Sequence, residues 1–181
     1  MGQYASFDPR VEIIGQNILS FLQNSQIENI QPILERRGLT DVKPDQWYPL
    51  QTWMEVLTEI SEQSSAMFDF VSIGMAISET AVIPPEVAKL PFEQFMMMIN
   101  DVYQMQHRGG DAGTIKVEQP GDKHLLLTLR VPYPDDLEYG VAYGFARRFL
   151  PPGTQFTVMY DENVPRREKG GQETLIHITW D

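Results

Sequence analysis

The chain has 181 residues, 42% hydrophobic and 22% charged, the balance of a folded domain able to fill a core without disulfide or metal staples. Acidic residues outnumber basic ones by 25 to 14, and a formal charge of −11 opposes a phosphate backbone; the arginines cluster only as the pairs Arg36-Arg37, Arg147-Arg148 and Arg166-Arg167, so no nucleic-acid partner is expected. The absence of cysteine removes disulfides, thiolate metal sites and cysteine nucleophiles, and it fits a reducing, cytoplasmic setting.

No apolar run approaches the ~20 residues that span a bilayer, and Met1 to Pro9 carries no secretory pattern. Met1 to Ser6 fits the loose N-myristoylation pattern, but nothing polybasic follows to supply a second membrane signal. No membrane partner is expected.

Val11 to Asn24 sets Val11, Ile14, Ile18 and Leu22 on a broad apolar face and predicts a first helix. A shorter one follows over Ile27 to Arg37, with Pro32 early and Gly38 placed to end it. Leu39 to Tyr48 reads as a loop broken by Pro44 and Pro49. Leu50, Trp53, Met54, Leu57 and Ile60 then recur at helical spacing. Ser64 to Ala81 is a mostly apolar, hence central, helix with Gly74 where close packing or a ligand needs space. Leu90 to Gln106 gives one more, carrying Phe92, Phe95, Met96, Ile99, Val102 and Tyr103 on one face.

After the break at Arg108 to Asp111 the period falls from 3.6 to 2. Thr114 to Gln119 and Lys123 to Val131 form a hairpin around Pro120-Gly121-Asp122. A helix over Asp136 to Leu150 follows, then strands over Thr154 to Tyr160 and Glu173 to Trp180 joined by a charged, mobile link, Glu162 to Gly171. The expected fold class is α+β: a helical N-terminal half packed on a four-stranded antiparallel sheet, with a helix between strands 2 and 3. One domain is expected over 1–181, its helical part at about 10–107 and its ββαββ part at about 113–181.

Residues suited to chemistry are sparse. No phosphate loop, nucleophile elbow, zincin or EF-hand spacing occurs, and no catalytic residue is assigned. His107 ends the last N-terminal helix, where a cation complements the dipole; as the lone histidine of the helical half it is also the one haem-ligand candidate. His124 and His177 fall on the polar side of two strands and form a two-histidine site if those strands are neighbours, although without a nearby carboxylate a solvated face is the better reading and no metal is expected. Asp135, Asp136 and Glu138 read as helix N-capping charge. Phe68, Phe70, Gly74, Met75, Phe95, Met96 and Tyr103 suit the lining of an apolar small-molecule pocket, since methionine and glycine adapt to irregular shapes.

The runs Leu125 to Pro134, Tyr139 to Phe149 and Gly170 to Trp180, in the order strands, helix, strands, resemble the superfamily of haem nitric-oxide-binding (H-NOX) domains, 4-vinyl-reductase-type small-molecule-binding domains and TRAPP-type trafficking subunits. The resemblance implies a pocket between helices and sheet and a tendency to form homodimers. In haem-binding members a Tyr-x-Ser-x-Arg motif holds the propionates; here Leu129, Val131 and Tyr133 stand there, and the expected proximal-histidine region, Asn100 to Tyr103, has no histidine before His107. No haem and no other cofactor is therefore expected. The cysteines of the reductase-type members are missing too. The expected function is a non-enzymatic sensory or regulatory domain that binds an apolar small molecule. A ligand-free interaction or dimerisation module is the alternative, and a tetrapyrrole-related reductase a more distant one.

Overall fold

The computed structural model describes residues 3–63 and 69–181. Its helical half begins with a strand, β1 (Glu12–Ile14), rather than with the first turn of a helix. β-branched Val11, Ile13 and Ile14 favour extended backbone, and the helical periodicity holds only from α1 (Gly15–Gln23) onward. A side chain on Gly15 would meet the Tyr48 ring at 2.9 Å, so the chain turns into the helix at a residue without one. There follow α2 (Ile27–Arg36), β2 (Trp47–Pro49), α3 (Leu50–Glu62), α4 (Phe70–Thr80), α5 (Phe92–Met97), α6 (Ile99–Met105) and β3 (His107–Arg108).

β2, β1 and β3 form a small antiparallel sheet that the helical spacing concealed. It buries Ile13 and clamps both ends of the helical half. The single helix expected over Leu90 to Gln106 is divided at Met98 into α5 and α6. That turn brings the Asn100 carboxamide to accept a hydrogen bond from the Ile115 N–H at 2.9 Å.

The second half is β4 (Thr114–Gly121), β5 (His124–Arg130), α7 (Asp135–Phe149), β6 (Phe156–Tyr160) and β7 (Thr174–Trp180). The strands form the expected four-stranded antiparallel sheet, and their order is β4-β5-β7-β6. Alternation sets its register: Leu125, Leu127 and Leu129 of β5 and Ile176 and Ile178 of β7 point inward and are buried. Each such side chain contributes about 1.5–3 kcal/mol. The link before β7 is pinned rather than loose. Glu168 accepts from the Asp135 N–H at 2.9 Å, Asp135 accepts from the Glu168 N–H at 3.2 Å, and Arg166 pairs with Asp136.

α7 lies on the sheet, where the Tyr139 hydroxyl donates to the Val158 carbonyl at 2.7 Å, and α4 covers its other side. The α4–α7 contact runs through small residues, Gly74 and Ser78 against Gly140 and Gly144. A Cβ on Gly74 would lie 2.8 Å from Val141 N, and one on Gly140 would lie 3.0 Å from Val71 Cα. Gly74 thus serves close helix packing. The Ser78 hydroxyl donates to Val141 O at 2.8 Å, and Arg148 Nη1 donates to the carbonyls of Ser78 and Ala81 at 2.8 and 2.9 Å, satisfying the exposed end of α4. Among the described residues, no helix is long and apolar enough to cross a membrane.

Candidate ligand site

Between the α5–α6 turn, α7 and the first two strands of the large sheet lies a partly open cavity of about 30 Å3. Met96 and Ile99 come from α5 and α6, Ile115, Leu127 and Leu129 from β4 and β5, and Glu138, Val141, Ala142 and Phe145 from α7. The volume suits one or two water-sized groups, given about 10–15 Å3 for a single water. Among the described residues of the wall, Glu138 alone is polar.

Glu138 belongs to the cavity because α7 repeats at 3.6 residues. Positions 138, 141, 142 and 145 share one stripe, and three of them are apolar. Every fully enclosed side-chain N or O among the described residues has a hydrogen-bond partner. The Glu138 carboxyl differs, since it borders the hollow and no donor among the described residues supports its charge. Burial, with a smaller push from the Asp135 charge, raises Glu138 to about 7.

All three carboxylates fall in the first turn of α7, where negative charge complements the helix dipole, but none is the N-cap; Pro134 holds that position, and Glu168 accepts from the Asp135 N–H. Asp135 is buried and accepts from the Thr174 hydroxyl at 2.6 Å, while Asp136 accepts from the Tyr160 hydroxyl at 2.8 Å. Only Glu138 reaches the hollow.

The described residues expected to line a pocket are spread over four places. Met96 is in the cavity wall. Phe95 lies beside it, stacked on Phe149 at 3.9 Å between ring centres and edge-on to Phe145. Tyr103 donates to the Ala112 carbonyl at 2.6 Å and packs on His107. Gly74 and Met75 sit at the contact with α7, and Phe70 packs against Tyr4 and Phe21 on the far side of α4. Phe68 falls outside the described residues.

His107 is not a solvated helix-end cation but a buried side chain on β3. Its Nδ1 lies 2.8 Å from the Tyr103 carbonyl, which can only accept, so Nδ1 carries the proton and Nε2 accepts from the Tyr133 hydroxyl at 2.6 Å. Burial lowers its pKa below the ordinary histidine value, which keeps this neutral tautomer.

On the opposite face of the sheet β5 and β7 are neighbours, and His124 Nε2 lies 2.8 Å from His177 Nδ1. A carboxylate that the sequence spacing did not reveal, Asp161, holds His177 Nε2 at 3.0 Å. The rings meet head to head, their centres 5.1 Å apart. That is the arrangement of two nitrogens sharing a proton, not of two lone pairs converging on an ion. Among the described residues, no group of three or more histidines and carboxylates could hold a metal ion.

Solved structures with this arrangement cover nearly the whole chain. A single-substitution variant of Tt H-NOX superposes with a TM-score of 0.69 at 13% identity, over 93% of this chain and 95% of that one. The fold is that of an H-NOX domain. An unliganded Fe(II) H-NOX variant from K. algicida matches with a TM-score of 0.67 at 12% identity, over 93% and 97% of the two chains. An oxygen-binding H-NOX domain related to soluble guanylate cyclases matches at 0.64 and 15%, over 92% of each. No protein-family model and no curated protein sequence matches the chain.

The H-NOX fold raises the question of haem, and the residues present do not fit it. The cavity of about 30 Å3 is an order of magnitude below the roughly 300–1,000 Å3 of pockets that enclose a small organic ligand. Both nitrogens of His107 are engaged by Tyr103 and Tyr133. Leu129 and Val131, where propionate-holding side chains would stand, are buried in the apolar core, and the Tyr133 hydroxyl is committed to His107.

Proposed function

We propose that the chain is a non-catalytic, cytoplasmic sensory domain that admits an apolar small molecule at the junction of α5–α6, α7 and the sheet and reports it through a homodimer. The observation that supports this most is the hollow itself, apolar except for one carboxyl that no donor among the described residues satisfies. A core designed only for stability has little reason to keep such a group. In this reading Met96 touches the ligand, Phe95 and Tyr103 back the wall, and Phe70, Gly74 and Met75 belong to the helix that follows α7 when the wall moves. The small volume means that a ligand larger than a few atoms widens the hollow on entry.

A native mass spectrum of freshly purified protein, compared with a denatured one, tests the reading. Extra mass lost on denaturation supports it, and a dimeric species supports the reporting route. An apo species that stays apo after incubation with small apolar compounds favours the interaction module instead. That second reading draws on the exposed side chains Met98, Val102 and Met105, spaced along one side of α6.

A further inference from the structure

We propose that the hollow takes the ammonium head of a small primary amine, with Glu138 as its counter-ion and Ile99, Leu127, Leu129 and Phe145 around the alkyl part. This rests on the pocket reading above and names the ligand class. The argument is one of elimination by charge and hydrogen bonding. Asp135 on the same helix, Tyr103 from α6 and Tyr133 just before α7 are coupled to Glu138, and half-buried Arg167, from the link before β7, faces Asp135 and Tyr103 without lining the hollow. Tyr103 and Tyr133 have given their hydroxyl hydrogens to the Ala112 carbonyl and to His107. Among the described residues, no cation lines the hollow itself.

An anionic ligand would therefore meet a carboxylate and no cation in the wall. A pure hydrocarbon would seal the Glu138 carboxyl without a partner, which costs binding energy. Buried water commonly makes about three hydrogen bonds, and this wall offers it one polar side chain. An ammonium group meets the carboxylate with a charge-assisted hydrogen bond, faces the Phe145 ring in the same wall, and keeps a water contact through the cavity's open side. The net charge of −11 draws cations toward the surface in any case.

Binding conserves protons in a defined way. Where Glu138 is protonated, an incoming ammonium ion forms the pair and one proton leaves to solvent. Where Glu138 is already ionised, none is released. Affinity then climbs about tenfold per pH unit while the carboxyl is protonated and levels off once it is ionised.

The test uses n-butylamine, with 1-butanol as its neutral and butyrate as its acidic counterpart. Binding is read from the methyl NMR signals of Ile99, Leu127 and Leu129 in the full chain, in Glu138→Gln and in Ala142→Leu, which fills the hollow. The expected result is amine binding at least about tenfold tighter than the alcohol, an advantage lost in Glu138→Gln, no butyrate binding, and affinity rising with pH to a plateau near 7. Equal binding of amine and alcohol, or an unchanged advantage in Glu138→Gln, overturns the amine assignment and leaves the pocket reading standing. No probe moving the methyl signals of the unmodified protein removes both. If Glu138→Gln does not fold, the pH profile of the unmodified protein decides: a flat or falling affinity overturns the proposal.

Discussion

Tyr133 gives its hydroxyl hydrogen to Nε2 of His107 over 2.6 Å, with both side chains buried and the histidine's other nitrogen held by the Tyr103 carbonyl. The pair closes the one histidine of the helical half to any ligand and ties the segment before α7 to the small sheet. Tyr133→Phe strands a buried acceptor and is expected to cost about 1–3 kcal/mol in urea denaturation. It is not expected to create haem binding, because the cavity stays too small; a Soret band after hemin titration of this variant would contradict that.

Glu138 and His107 act on stability in opposite directions over overlapping pH ranges. Glu138 is raised from 4.5 to about 7. The folded state therefore holds its proton more tightly, and stability falls as pH rises from about 4.5 to 7. Ionising it in place costs up to about 3 kcal/mol, and less to the extent that the half-buried carboxyl keeps contact with solvent. Glu138→Gln removes that loss, so the variant should gain on the parent by about this amount between pH 4.5 and pH 7.5, read from urea midpoints across the range. A constant difference would mean that the carboxyl is not enclosed as described.

His107 is shifted the other way, its pKa lowered by burial. The unfolded chain then binds the proton better, so its contribution is intact above about pH 6.5 and is lost as pH falls through and below that value. In the Glu138→Gln background this decline is no longer masked. Stability should drop more steeply there from pH 7 to 5.5 than in the parent, and further replacement of His107 by Gln should flatten it.

The α4–α7 contact reverses an ordinary rule. Alanine in place of a helical glycine usually stabilises by about 1 kcal/mol. At Gly140 the new methyl would meet the Val71 backbone, and overpacking of this kind costs about 1–3 kcal/mol. Gly140→Ala should therefore destabilise on balance, and a variant with a raised melting temperature would show that the helices are further apart. Gly74→Ala should behave alike, and the two losses should not add, since both act on one interface.

Arg148 is expected to hold the end of α4 by donating to its last carbonyls. Arg148→Ala should cost about 1–2 kcal/mol and speed amide exchange in that turn. Lysine should rescue little, because an ammonium lacks the planar fork. Unchanged exchange near residues 78–81 would remove the capping role.

How much of this was legible depends on how local the cause is. Leu125, Leu127 and Leu129 alternate with His124, Leu126 and Thr128 within a single strand, so the large sheet could be read directly. β1 could not, because Val11, Ile13 and Ile14 satisfy the helical pattern as well as the extended one until their partners Trp47 to Pro49 and His107 are known. Gly74 announced a need for space but not its cause, since the neighbours that fill the space lie more than sixty residues later. Asp161 was beyond any spacing rule, because only the pairing of β6 with β7 brings it to His177. Glu138 did leave a signal: it holds a position in the apolar stripe with Val141, Ala142 and Phe145. Its place just after Asp135 and Asp136 gives it the look of end-of-helix charge.

Side chains normally let packed helices slip past one another by changing rotamers. Between α4 and α7 there is little side chain to change; main chain rests on main chain, locked by Ser78 at one point and Arg148 at another. Under the proposed reading, a displacement of α7 by a ligand entering beside Glu138 would be carried without slack into α4. From there it would reach Phe70, which packs on the rings of Tyr4 and Phe21, so the N-terminal segment, far from the hollow in sequence, is the place to look for a readout.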